Sequence, residues 1–273
     1  MTHREWLLEQ RKRLAHLSRF DLERLLSERV NMGRAHLLAH MDDPIPETAL
    51  KQLDEDVAAL EQRVPLQYVL GYAYFMDAVY EVNEHVLIPR FDTEYLVQAV
   101  LERVDKEQAA MLDLCTGSGI VAISLARARA GWLVSASDIS EQALAVAKRN
   151  GGRLSASVEW RLGDLFAPWQ GQQFDVIVSN PPYISNDEYE ELSPEVHQEP
   201  RQALIAEHNG LLFYERLAAE AGDYLMPGGW LAVEIGWQQG QAVQKLFMKH
   251  HFMEVECLTD GQGHDRVVVG HLI

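Results

Sequence analysis

The hydrophobic positions of this chain change period twice. Over residues 1 to about 66 they recur at helical spacing: Trp6, Leu7, Leu14 and Leu17, then Leu22, Leu25, Leu26 and Val30, then Leu50, Leu53, Val57 and Leu60. No strand pattern interrupts them, so a small helical domain is expected over 1–66, broken at Asp43-Pro-Ile-Pro46 and resuming near Glu47 or Thr48. From Tyr68 to Ile88 aromatic and β-branched residues take over, among them Tyr72, Tyr74, Phe75, Val79, Tyr80, Val82 and Val86. That pattern predicts a β-hairpin over 67–90, linking the helical domain to a larger one. Asp92 or Thr93 is placed to cap the helix that follows. From 91 to 273 apolar runs alternate with amphipathic stretches, the signature of a doubly wound α/β sheet. Met111 onward, Trp132 to Ser137, Phe174 to Ser179 and Trp230 to Ile235 read as strands, with Pro227-Gly-Gly229 turning the chain into the last. Phe252 to Leu258 and Arg266 to Leu272, separated by Asp260-Gly-Gln-Gly263, read as a terminal hairpin.

With 273 residues, 47% of them hydrophobic, the chain can bury a large core and suits one large domain plus a smaller one. It has no apolar run of the roughly eighteen residues that a membrane span needs. Its start, Met1 to Glu9, lacks an apolar signal core, so a cytoplasmic location without membrane attachment is expected. Two cysteines, Cys115 and Cys257, make neither a disulfide framework nor a zinc quartet. His36 and His40 have the spacing of a helical metal pair but no evident third ligand, so no metal is expected. The net charge is −17, with 41 acidic residues against 24 basic ones. Such a surface repels phosphate backbones, which counts against stable nucleic-acid binding and favours a basic or neutral protein partner. The compact basic cluster Arg11-Lys12-Arg13 has Glu5 and Glu9 nearby and reads as a solvated helix face.

Candidate chemistry sits at the ends of the expected strands. Met111 to Gly119 followed by Ile120 to Ala126 reads strand, tight turn, helix, with Gly117 and Gly119 allowing positive φ and close ligand approach. The helix start is expected to offer unpaired N–H groups to a ligand. Asp138 closes the next strand, where an acidic side chain can accept from a ribose diol. Gly117 to Ala122 also fits the dinucleotide fingerprint, so both nicotinamide dinucleotide and S-adenosylmethionine are candidates. Three features favour the latter: Asp113 before the turn, placed for a cationic methionine end; Gly163-Asp164-Leu165, placed for an adenine amino group; and Asn180-Pro181-Pro182-Tyr183 after the strand ending at Ser179. In that last motif the Asn180 side-chain carbonyl and the Pro181 backbone carbonyl can grip one NH₂. Tyr183 can lay its ring on a flat amide or nucleobase, its hydroxyl near water, with Phe75 and Pro182 drying the pocket. The motif suits methylation of a weakly nucleophilic planar nitrogen, on glutamine, adenine or guanine.

The order of helical domain, aromatic hairpin, Ile88-Pro-Arg-Phe-Asp-Thr-Glu94, Asp113-Leu-Cys-Thr-Gly-Ser-Gly119 and Asn180-Pro-Pro-Tyr-Ile184 resembles the protein glutamine methyltransferases. It is most similar to the HemK-type branch, which methylates the glutamine of the Gly-Gly-Gln loop in class-1 peptide chain release factors. The resemblance covers nearly the whole chain and takes in Glu195-Val, Glu199-Pro200, Gly210 to Tyr214, Pro227 to Gly229, Glu234-Ile-Gly236, Gln239-Gly240 and Asp265-Arg266. It implies a class I methyltransferase fold, a seven-stranded sheet with its last strand antiparallel, behind a substrate-recognising helical domain of residues 1–66. It implies S-adenosyl-L-methionine as cofactor, S-adenosyl-L-homocysteine as product, and release factors as partners. The residues it marks for the cofactor are Asp113, Cys115, Thr116, Gly117, Ser118, Gly119, Asp138, Ile139, Asp164, Leu165 and Asn180. For catalysis and substrate it marks Asn180, Pro181, Pro182 and Tyr183, with Phe75 and Arg90 supporting the pocket. The sequence departs from the family in two places: Cys115 stands where the release-factor enzymes commonly have glycine, a cysteine there being more similar to the related enzyme that acts on a large-subunit ribosomal protein, and Arg63-Val64 stands where glycine and an acidic residue are frequent. Glutamine of a ribosomal protein is therefore the alternative substrate, and a DNA or RNA amino group a more distant one.

Overall fold

Capping boxes start the first two helices: Thr2 and Glu5 close α1 (His3–Arg13), and Ser18 and Asp21 close α2 (Arg19–Arg29), each side chain satisfying the other residue's backbone N–H. α3 (Arg34–Ala39) is short, and α4 (Glu47–Glu61) begins directly after Pro46, whose fixed φ suits a helix start. α5 (Leu66–Leu70) follows Pro65 and stops at Gly71, whose φ of 81° makes a left-handed cap. Tyr68 is therefore helical, and the strand expected from there starts only at Tyr72. The computed structural model describes residues 1–273, and these five helices form one unit, Met1–Gly71, joined by the later segment Ser193–Gln198. Trp6, Leu14, Leu22, Leu25, Leu26, Leu37, Leu53, Val57 and Leu60 are its buried core. Arg29 binds Asp56 through two hydrogen bonds and also donates to the Val69 carbonyl, tying α2, α4 and α5 together. Arg63 donates to Glu195 at 2.6 Å and so holds the later segment; its own φ is 66°, in the left-handed region that favours glycine. His36 and His40 stack on each other at 4.0 Å between ring centroids, and no group of three His, Cys, Asp or Glu is arranged to hold a metal ion.

The second unit comprises Tyr72–Leu192 and Glu199–Ile273. It opens with the antiparallel hairpin β1 (Tyr72–Phe75) and β2 (Ala78–Glu81), shorter than the expected 67–90. α6 (Asp92–Arg103) then leads into an alternation of β3 (Ala110–Leu114), α7 (Ile120–Ala128), β4 (Leu133–Asp138), α8 (Glu141–Arg153), β5 (Val158–Leu162) and β6 (Phe174–Ser179). The chain continues through α9 (Asn186–Glu190), α10 (Leu212–Glu220), β7 (Leu225–Glu234), α11 (Gly240–Lys249), β8 (Met253–Thr259) and β9 (Asp265–His271). The seven strands β3 to β9 lie in the order β5-β4-β3-β6-β7-β9-β8, and β9 alone runs against the rest. Pro227-Gly-Gly229 is a bulge within β7 rather than a turn before it: the register with β6 shifts there, and Gly228 has a φ of 76°.

Strand alternation builds a core on each face of this sheet. Met111, Val176 and Val178 join α6 and α7 on one side; Leu112, Leu114 and Ile177 join α10 and α11 on the other. The chain leaves β3 outward through β4 to β5, then returns to place β6 on the other flank of β3. The crevice beyond the carboxyl ends of β3 and β6 is thus the topological switch point, where ligands bind in open α/β sheets.

Candidate active site

Leu114 and Ser179 are register partners, and the Ser179 hydroxyl donates to the Leu114 carbonyl at 2.8 Å. The turn Cys115–Gly119 and the motif Asn180–Tyr183 therefore leave the sheet side by side. Three turn residues have left-handed backbone: Cys115 (φ 60°), Gly117 (φ 55°) and Gly119 (φ 84°). The first is a backbone conformation that favours glycine. The two glycines do different work. A side chain at Gly119 would meet Ile123, Trp160 and Ala147 at 3.0–3.2 Å, whereas one at Gly117 would meet nothing and enter the cleft. Asn150, fully buried on α8, donates to the Ser118 carbonyl and exchanges hydrogen bonds with the Glu81 backbone, pinning the turn to the hairpin.

One cleft collects most of the expected residues: Arg90, Asp113, Cys115, Thr116, Gly117, Ser118, Asp138, Ile139, Asp164, Leu165, Asn180 and Pro182. Asp113 is 1% exposed and accepts from the Thr116 hydroxyl at 2.6 Å and the Ala122 N–H at 3.2 Å. The helix start thus already holds a carboxylate of its own, so one of the N–H groups expected there for a ligand, that of Ala122, is taken. Burial pushes Asp113 up to about 7 against those two hydrogen bonds, and Asp138 reinforces the rise. Asp138 accepts from Gly117 N–H at 2.8 Å, bracing the turn, and from Ser140 N–H at 2.9 Å; burial raises it despite these donors. Burial also raises the Cys115 thiol far above its ordinary value. Asp164 is exposed and paired in two hydrogen bonds with Arg216, and Arg90 is paired with the buried Glu199.

The Asn180 side chain donates Nδ2 to the Thr93 Oγ1 at 3.1 Å, which leaves Oδ1 as the acceptor of a side chain that lines the cleft. Thr93 is accordingly no cap. Phe91 occupies the N-cap position of α6 without a side-chain bond, and Asp92 instead pairs with Arg266 at 3.0 Å. Thr93 lies beside Glu234, a carboxylate 1% exposed at the end of β7, whose Oε1 accepts from the Tyr183 hydroxyl at 3.4 Å. Burial raises Glu234 to about 7, with Thr93 and Tyr183 opposing the rise.

Four expected residues fall outside the cleft lining. Phe75 is 1% exposed in the core, edge-on to Tyr80, because hairpin alternation turns it inward. Tyr183 directs its hydroxyl to Glu234 instead of to water, and its phenol is raised by burial. Pro181 is buried and Gly119 is packed against its neighbours. Thr93, Asn150, Arg216 and Glu234 carry contacts of the site that spacing alone does not indicate; the only signal for Glu234 was its place in a family block.

Residues 5–71 match the PrmC N-terminal domain, and residues 91–214 match the Methyltransferase small domain. The release factor glutamine methyltransferase of Lactococcus lactis subsp. lactis is 42% identical over 91% of this chain and 93% of its own length. That of Geobacter sulfurreducens is 40% identical over 93% and 90%. Among solved structures, a methyltransferase from Pyrococcus furiosus superposes with a TM-score of 0.55 at 18% identity, over 81% of this chain and 96% of that one, a likeness of class I methyltransferase fold. With relatives at this identity along nearly its whole length, the chain belongs to the release factor glutamine methyltransferases.

Proposed function

We propose that this protein, in the cytoplasm, transfers a methyl group from S-adenosylmethionine to the side-chain amide nitrogen of the Gly-Gly-Gln glutamine of class-1 peptide chain release factors. The observation that carries this reading is that the side chain of Asn180, with Oδ1 as its remaining acceptor, lines the same cleft as Asp113, Asp138 and Asp164, a cleft whose two arginines are each already paired with a carboxylate. Such a cleft suits a cation with a polar adenosine end. It does not suit a pyrophosphate, which would meet Asp113 at the start of α7.

The residues present fit the cofactor. Asp138 has accepting capacity beyond its two backbone N–H partners for a ribose diol, and Gly117 leaves the cleft clear. Asp113 would face the cationic methionine end, while Ile139 and Leu165 offer apolar surface and Asp164 an acceptor to the adenine. The cofactor supplies a methyl group on a sulfonium cation. An amide nitrogen is a poor nucleophile because its lone pair is delocalised into the carbonyl, so the protein's task is to position it. Asn180 Oδ1 and the Pro181 carbonyl would accept its two N–H groups, and Pro182 would exclude water. As positive charge appears on nitrogen, both acceptors interact more strongly than in the ground state.

A lone glutamine side chain offers little surface for recognition, so remote contacts must deliver it, and the helical unit is the proposed second contact. The strongly acidic chain would steer a basic partner, making association salt-sensitive. The test is transfer of labelled methyl to purified release factor, ribosomal protein, DNA and RNA in parallel. Labelling confined to the release factor, on the Gly-Gly-Gln glutamine, is expected; preferential labelling of ribosomal protein or nucleic acid would overturn the assignment.

A further inference from the structure

The Asn180 amide has two nearly isosteric orientations, and only one presents an acceptor to the substrate. A threonine hydroxyl alone does not choose between them, because it can accept from Nδ2 or donate to Oδ1. What decides is where the Thr93 proton goes. Thr93 is 1% exposed, and the carboxylate beside it is Glu234. Glu234 Oε1 takes the Tyr183 hydroxyl, while Oε2 is buried without a hydrogen-bond partner of its own. An orphaned buried carboxylate oxygen next to a hydroxyl is a strong acceptor for that proton.

We propose, resting on the methyl-transfer reading above, that Glu234 holds the Thr93 proton so that Thr93 can only accept from Asn180, and that both are positioning residues which keep Asn180 Oδ1 turned to the substrate amide. Ionised Glu234 keeps the relay in this sense. Once protonated, its O–H can donate to Thr93, whose own proton is then released toward Asn180 and favours the unproductive orientation. The groups facing this carboxylate are mixed. Asp92 on α6 favours the protonated form; Arg266 on β9 and the Tyr183 hydroxyl favour the ionised form, and Tyr214 on α10 donates to the Glu234 backbone carbonyl. With Glu234 raised to about 7, the relay is set to fail on the acid side of neutrality.

The experiment measures single-turnover methylation of intact release factor at saturating cofactor across pH, together with cofactor affinity by calorimetry. Wild type should lose turnover as pH falls through about 7. Thr93→Val should lower turnover on the order of 10²-fold with cofactor affinity within about threefold, Thr93→Ser should restore most of it, and Glu234→Gln should abolish the acid limb whatever its absolute rate. A merely structural role would lower cofactor affinity and thermal stability in Thr93→Val and leave the shape of the pH profile unchanged. Turnover of Thr93→Val within about threefold of wild type, or an acid limb that persists in Glu234→Gln, would overturn the relay while leaving the methyltransferase reading intact. A wild-type protein inert on release factor would remove both.

Discussion

The Asp113 carboxylate accepts the Ala122 N–H at 3.2 Å, so the protein supplies its own anion at the first turn of α7. This anion is half-titrated near neutrality, since Asp113 is pushed up to about 7. A cationic cofactor end favours the carboxylate, so binding at acid pH must first expel a proton. Affinity for S-adenosylmethionine is therefore expected to be flat above about pH 7 and to weaken toward a limit of about tenfold per pH unit below it. Calorimetry in two buffers of different ionisation enthalpy checks this by the proton released. Asp113→Asn should bind more weakly and lose the slope.

Asp138 braces the glycine turn through the Gly117 N–H, accepts from Ser140 N–H at the start of α8, and remains able to accept from a ribose. Asp138→Ala removes these functions, and Gly117→Val forces a β-branched residue to a φ of 55° with its side chain in the cleft, a strain of about 1–3 kcal/mol. Each is expected to weaken S-adenosylmethionine binding by more than about tenfold without creating any affinity for nicotinamide dinucleotide. Saturable dinucleotide binding by either variant or by wild type would contradict the cation-selective reading of the cleft.

Asn180→Ala leaves the carboxylates of the cleft in place and removes the acceptor proposed to grip the substrate amide. Cofactor affinity should stay within roughly tenfold, about one hydrogen bond, while single-turnover methylation falls on the order of 10²-fold or more. Near-normal transfer by this variant would exclude Asn180 from the mechanism.

Cys115 holds a left-handed backbone at φ 60°, so Cys115→Gly should keep activity and raise stability by up to about 1 kcal/mol, read as a higher thermal midpoint. Burial raises both thiols, Cys257 to about 12, so neither should be alkylated appreciably by a neutral-pH thiol reagent until the protein unfolds. Rapid alkylation of the native protein would contradict the raised Cys115 thiol.

The glycine turn, Asp138 and Asn180 are legible in the sequence because each follows a strand whose apolar run marks its own end, and strand ends at a switch point gather by topology. Tyr68 misleads because local composition favours a strand, while Pro65 and Gly71 bracket one more helical turn. Thr93 reads as a cap because capping is the local use of threonine; its actual partner, Asn180, is 87 residues away, and no periodicity records such a distance. Phe75 reads as a pocket aromatic, and only the hairpin register reveals that it faces the core. Arg63 and Cys115 look like family exceptions in sequence, and in the backbone both are non-glycine residues at left-handed positions.

The six residues Ser193–Gln198 belong to the first unit although they are strung within the second, and Glu195 meets Arg63 across 132 positions of chain. During synthesis from the amino end, the helical unit therefore emerges early with Arg63 lacking this counterion. It is completed only after β3 to β6 have left the ribosome. The two units are thus interleaved in the order of their making: the first cannot be finished before the second is well under way.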